Sequence, residues 1–206
     1  PQTASTKAER LIERDKVDII TGVTFSNVMM AIHKPITDAN VLLVGSNAGP
    51  SPLTGKGCSR NFFSTSWNND SLHESMGQHA NDAGYKKVYL LAEDYSFPYD
   101  NAGGFFQEFC AAGGEINGAS WVPVGTTDYA TIIAQIPADT DAVYVGLGGA
   151  DAASFLSQAV TNGVTKPLIG GTIAVDTTAL SGDANIASAA VGMISGGPVP
   201  GAGFSN

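Results

Sequence analysis

Few residues of this chain are arranged for bond-making chemistry. Its three histidines are His33, His73 and His79, all inside helical patterns. His73 and His79 stand six positions apart, off the i, i+4 spacing that puts two metal ligands on one helical face. Surface histidines are the plainer reading. No GxSxG nucleophile turn occurs. The phosphate-gripping pattern GxxxxGK followed by Ser or Thr also fails, because Gly55-Lys56 is followed by Gly57. Gly146-Leu147-Gly148-Gly149 has Asp151 where the dinucleotide fingerprint needs its last Gly. Asp94 and Asp128 are the nearest thing to an acid–base pair. Asp128, after Thr126-Thr127, reads better as an acid at a helix start, and Asp94 as a strand-end residue beside Tyr95.

Two stretches suit the holding of a negative charge better than a reaction. VGSNAGPSPLTG (residues 44–55) follows the apolar run Val41-Leu42-Leu43-Val44 and is built from small polar residues that would leave main-chain amides bare. GVTFSN (22–27) lies between a strand and a helix, with Ser26 or Asn27 as a good N-cap. A helix start also turns free N–H groups and the positive end of its dipole toward an anion, although capping alone is the commoner use. Tyr95, Phe97 and Tyr99 form an aromatic cluster in a loop, which either packs on the next helix or walls a flat ligand.

The elements that must position these residues follow a regular rhythm. Helical stripes include Ala102, Phe105, Phe106 and Phe109, then Tyr129, Ile132, Ile133 and Ile136, then Ala152, Phe155, Leu156 and Ala159. A helix over 28–39 contains Pro35, which should kink or shorten it, and helices are also expected over 70–83 and 100–112. Between the helices lie short apolar runs at 17–20, 41–44, 87–92, 116–122, 142–145, 168–170 and 191–195. Such alternation predicts parallel βαβ units in a doubly wound α/β fold, its strands covered on both faces. Ligands of such sheets bind beyond the carboxyl ends of the strands. The glycine-rich and polar segments 22–26, 44–55, 93–97, 146–149 and 170–172 all fall at such ends.

Residues 45–69 carry no helical pattern and read as an irregular passage, with a domain boundary near residue 66. The expected organisation is a partial first lobe over 1–66, a second lobe over 67–195, and a crossing segment over 196–206. Two strands and two helices are too few for a full first lobe, so the chain reads as a fragment lacking N- and C-terminal portions. With 206 residues, 43% hydrophobic and 14% charged, it can fill a sizeable core. The net charge of −9, with no basic stripe, argues against a nucleic-acid partner. No apolar run approaches the roughly 20 residues of a membrane span. Cys58 and Cys110 fit two free thiols or one disulfide equally well.

The stretches VDIITGVTFSN, VLLVGSNAGPSPLTGKGCSRNFFSTSW, GYKKVYLLAEDYSFPYDNAGGFFQEF, GTTDYATIIAQI and DAVYVGLGGADAASFLSQA together resemble the type I periplasmic solute-binding proteins. More closely, they resemble the branched-chain amino-acid receptors of ABC importers. SNAGPS-x-L-x-G-x-x-C with TSW-x-ND is similar to a subgroup associated with aromatic carboxylates. The resemblance implies two α/β lobes that close on a small carboxylate, a periplasmic or membrane-anchored extracellular location, and an ABC permease as partner. It implies neither enzyme activity nor cofactor, metal or membrane insertion. It places Ser26 and the loop Asn47, Ala48, Gly49 on the ligand carboxylate, with Gly49 where relatives often have Thr. Amino-acid binders carry an Asp near the position of Asn69 and a Glu near that of Thr172, both of which neutralise the ligand ammonium. Here those charges are missing, although Asp70 is adjacent. Phe97 and Gly148 each replace a Tyr of the relatives, leaving a less polar and roomier wall. An aromatic acid is therefore expected, with Phe97, Tyr95 and Trp67 as ring contacts and Phe25 beside Ser26. A branched-chain amino acid or small amide, or a sensory domain of the same fold, is the alternative.

Overall fold

Short apolar runs with glycine or proline at their ends become parallel strands, and the periodic stretches between them become helices. The computed structural model describes residues 1–170 and 183–197. The chain divides into two compact units, Pro1–Ser71 and Leu72–Asn206.

In the first unit α1 (Gln2–Glu13), β1 (Ile19–Gly22), α2 (Ser26–Asp38), β2 (Leu42–Gly45) and β3 (Phe62–Ser64) follow in order, with a 3-10 turn at Ser51–Thr54. The strands form a parallel sheet in the order β1-β2-β3. Its core is Met29, Ile32 and Ile36 of α2 against Leu43 of β2, with Ala8 and Leu53 at the margins. β3 lies inside the passage expected to be irregular. Three residues are too short for a visible alternation, and Phe62 is only half-buried while Phe63 is exposed. α2 runs on through Pro35 to Asp38 rather than stopping short. Pro35 is exposed and sits in the last turn, which closes with Ala39 N–H donating to Pro35 O.

The second unit contains α3 (Ser71–Asp82, entering from the end of the first), β4 (Lys87–Glu93), α4 (Ser96–Ala111), β5 (Glu115–Val122), α5 (Ala130–Gln135), β6 (Ala142–Gly146), α6 (Gly149–Thr161), β7 (Leu168–Gly170), α7 (Ala184–Ala189) and β8 (Ile194–Ser195). All strand pairs are parallel, in the order β5-β4-β6-β7-β8. Alternate residues of β4 and β6 enter two different cores, as a pleated strand demands. Val88, Leu90 and Tyr144 face α3 and α4 through Met76, Phe105 and Phe109. Tyr89, Leu91, Val143 and Val145 face α6 and α7 through Phe155, Leu156 and Ile186. Burial on both faces explains why these strands read as continuous apolar runs.

β5 lies on one side of β4 and β6 on the other, so the chain's winding reverses between β4 and β6. A crevice opens beyond the carboxyl ends of strands at such a switch point.

Candidate functional site

At the edge of the first unit, two loops are stapled together by main-chain bonds. Ser46 N–H donates to Gly22 O at 3.1 Å, Ala48 N–H to Val23 O at 3.1 Å, and the Asn47 side-chain amide to Thr24 O at 3.1 Å. Val23 accepts in a left-handed conformation (φ 72°) that a β-branched residue rarely adopts. Ala48 is therefore engaged in the loop rather than offering its amide, whereas Asn47 and Gly49 donate no main-chain bond among the described residues.

Neither Ser26 nor Asn27 caps α2. The N-cap is Phe25, exposed and extended, and no side chain caps the helix. Ser26 is instead the first helical residue, with its hydroxyl taken by Asn69: Asn69 Nδ2 donates to Ser26 Oγ at 3.0 Å, with both side chains buried. Asn69 N–H also donates to Gly49 O at 2.9 Å. Asn69 thus ties the helix start to the glycine-rich loop. A Cβ on Gly49 would lie 1.9 Å from the Trp67 carbonyl oxygen, so no Thr fits there. Trp67 is half-buried, and its indole N–H has no partner among the described residues. Asp70 accepts from Asn68 Nδ2 at 2.5 Å and from Ser71 N–H at 2.8 Å, which engages its carboxylate at the start of α3.

At the edge of the second unit, Phe97 and Tyr99 belong to the first turn of α4 rather than to a loop, because the helix starts at Ser96 and accommodates Pro98 in that turn. Tyr95, its N-cap, stacks on Phe97 with ring centres 6.4 Å apart. Tyr99 packs instead on Trp121 and hydrogen-bonds Asp94. Gly148 caps α6, and its N–H donates to Glu93 Oε1 at 3.3 Å. Thr172 lies outside the described residues.

The wall behind Tyr95 and Gly148 is acidic, contrary to the uncharged surface expected. Glu93 ends β4 and is 5% exposed, and its carboxyl hydrogen-bonds Asp151 and the Tyr95 hydroxyl. Asp151 is also buried, in the first turn of α6, and accepts from Gly125 N–H at 2.7 Å. Burial, with the Asp151 charge beside it, lifts the Glu93 pKa to about 7. The signal in the sequence was an acid directly after the apolar run Val88–Ala92, in a strand that is buried from Val88 to Glu93.

His33 and His73 are buried rather than at the surface. His73 is wholly enclosed, which pushes its pKa down to about 4 and leaves the ring neutral. Its Nδ1 bonds the Tyr144 hydroxyl. A water-sized cavity of about 10 Å³ lies at the switch point, lined by His73, Glu93, Phe97, Asn101 and the β6 end at Gly146 and Leu147.

Cys58 and Cys110 are both free and exposed. Asp128 Oδ1 accepts from Ala130 N–H at the start of α5, a capping role. No helix among the described residues is long and apolar enough to cross a membrane.

In the first unit the strand ends carry a stapled loop and a helix start without a side-chain cap, and in the second the stacked pair Tyr95 and Phe97. Residues 1–199 match the periplasmic binding protein family, and the chain belongs to it. It is 28% identical to a Leu/Ile/Val-binding protein homolog of Brucella melitensis over 166 residues, which are 80% of this chain and 42% of that protein. Among solved structures it is similar to a solute-binding protein of an ABC transporter from R. palustris in complex with benzoate, at 25% identity and TM-score 0.82, covering 90% of this chain and 52% of the other. Another, from Rhodopseudomonas palustris in complex with p-hydroxybenzoic acid, matches at 27% identity and TM-score 0.81, covering 92% and 51%. The chain spans about half the length of the relatives it matches.

Proposed function

We propose that this chain is part of a solute receptor for an ABC importer, working outside the cytoplasmic membrane and capturing a small aromatic carboxylate for a permease. The ligand carboxylate goes to the edge of the first unit, held by the start of α2, the Ser26 hydroxyl and the amides of Asn47 and Gly49. Its ring goes to the second unit, against Tyr95 and Phe97 at the start of α4 and over Gly148, where a larger residue would take up the space. Phe25, Trp67 and Thr172 complete the set of candidate contacts. The observation that carries this reading is the uncapped start of α2, because orphan N–H groups and the helix dipole together favour an anion. The benzoate and p-hydroxybenzoate complexes of similar proteins support the ring.

One observation favours a second reading, a branched-chain amino acid. Glu93 and Asp151 together form an acidic pair, and an ammonium buried without a counter-charge costs several kcal/mol or so. Against it, burial raises the Glu93 pKa to about 7, which weakens its charge near neutrality, and the Gly125 N–H and the helix start already answer Asp151.

Isothermal titration of the intact receptor separates the two. Benzoate, cinnamate and 4-hydroxybenzoate should release or absorb heat, and leucine and valine should not. The reverse pattern replaces the aromatic reading with the amino-acid one.

A further inference from the structure

The start of α2 carries a buried hydroxyl whose proton meets nothing. Asn69 Nδ2 donates to Ser26 Oγ at 3.0 Å, and Ser26 and Asn69 are 1% and 0% exposed. An amide nitrogen can only donate, so the Ser26 oxygen accepts and its own proton must point elsewhere. Among the described residues that proton has no acceptor. Native structures seldom leave a buried donor unpaired, and each instance calls for an explanation. The amides beside it are in the same state. Val28 N–H and Met29 N–H both donate to Phe25 O, while Ser26 N–H and Asn27 N–H reach no acceptor among the described residues. Asn69 N–H also holds Gly49 O, and all of these residues belong to the first unit.

The direction of the Asn69–Ser26 bond fixes what this helix start can hold. With its oxygen occupied, Ser26 does not cap its own helix in the way that Asp183 caps α7 by accepting from Asn185 N–H. It offers a proton instead, beside two free amides and the positive end of the helix dipole. All three groups are donors. A carboxylate has acceptors alone and can answer them, whereas a carboxamide of the same shape has one oxygen and brings two N–H donors of its own. An acid at position 69 would invert the bond. Its carboxylate would take the Ser26 proton, and the hydroxyl would then present lone pairs in place of a donor.

We infer that Asn69 is a positioning residue that sets hydrogen-bond polarity at the start of α2: by donating to Ser26 Oγ it holds the hydroxyl as a donor, and so selects a carboxylate over the matching carboxamide. This role rests on the reading above that the ligand carboxylate goes to this edge, and it is independent of what the ring touches. A site whose donors are fixed rejects the head group that leaves them unanswered, because buried polar groups without partners are costly.

The test is a double-mutant cycle on the intact receptor, with Ser26→Ala and Asn69→Asp titrated against benzoate and benzamide. The wild type should prefer benzoate by about tenfold or more, since a hydrogen bond to a charged group is the stronger. Asn69→Asp should lower the benzoate-to-benzamide ratio by about a hundredfold, through the lost donor and the added charge together. In the Ser26→Ala background only the charge acts, and the same substitution should shift the ratio by about tenfold less. Because Asn69 is buried, Asn69→Asp is accepted only where its circular dichroism and Tm without ligand stay near wild type. Otherwise Asn69→Ala takes its place, and by freeing the hydroxyl to turn it should lower the ratio by about threefold or more with Ser26 present and not in the Ser26→Ala background. Equal shifts in the two backgrounds, or an unchanged ratio, overturn the polarity role and leave the carboxylate reading standing. A wild type that binds benzoate no better than benzamide also overturns the role. A wild type that binds neither overturns both.

Discussion

The two strand-end edges are built on opposite principles. In the first unit, uncharged side chains brace the main chain: Asn69 holds Ser26 and Gly49, and Asn47 and Ala48 are anchored to the loop after β1. Ser26, Asn47 and Asn69 carry no ionisable group, so their part of the edge presents fixed dipoles. In the second unit, the edge contains a carboxyl lifted to about 7 and a histidine lowered to about 4, both by burial. An edge of fixed amides suits a ligand group that is always charged. The reading proposed above puts the ligand carboxylate at the first of these edges.

The hardest way to break this contrast is to unmake the first edge. Gly49→Ala puts a Cβ where the Trp67 carbonyl oxygen lies at 1.9 Å. That atom is backbone and cannot swing aside, so the loop must move. We expect a destabilisation above about 3 kcal/mol and a loss of carboxylate binding, read by urea denaturation and by titration. A variant that keeps both would show that the loop holds no fixed position. Asn69→Ala is milder. It leaves the buried Ser26 hydroxyl without its donor, at a cost of about 1–3 kcal/mol, and affinity for every carboxylate should fall together whatever the ring carries. A loss confined to hydroxylated acids would place Asn69 on the wrong half of the contrast.

Much of the fold is legible in the residues themselves, and the reason is physical. β4 and β6 are buried on both faces and read as unbroken apolar runs. α4 and α6 bury one stripe each, and Phe105, Phe109, Phe155 and Leu156 sit on those stripes. Where tertiary contacts decide, the sequence is silent. β3 exists because Leu43 and Val44 offer it a ladder, through the pairs Leu43↔Phe62 and Val44↔Phe63. Pro98 looks like a loop residue until its place in a first helical turn is known. Ser26 has the chemistry of an N-cap, and only the approach of Asn69 shows where its hydroxyl is engaged. The same limit hid the Glu93–Asp151 pair and the burial of His73, since partners on different elements leave no local pattern. The loop Asn47–Gly49 stood out because small residues in a row are themselves the signal.

The smallest expected effect sharpens the second edge, and it is a matter of sign. Glu93 has an ordinary pKa of 4.5 and a folded value of about 7, so between those limits the folded chain holds a proton that the unfolded chain has lost. Its contribution is complete below about 4.5, declines as pH rises, and is gone above about 7. His73 runs the other way, from an ordinary 6.5 to about 4. Its contribution is present above about 6.5 and is lost as pH falls toward 4. The groups facing Glu93 are Asp151 from α6, Tyr95 from the start of α4 and Tyr129 ahead of α5, and burial raises both tyrosines beyond this range. The wild type should therefore be nearly level between about 4.5 and 6.5, where the two slopes oppose, and weaken above that. Glu93→Gln removes one slope and should gain stability from pH 4 to 6.5, then stay flat. The difference between the two proteins, measured by denaturant titration across this range, should change by on the order of 1–2 kcal/mol, less than the full shift because a carboxyl at a sheet edge keeps part of its hydration. A difference that stays constant with pH would mean that burial does not raise the Glu93 pKa, and the second edge would then be as fixed as the first.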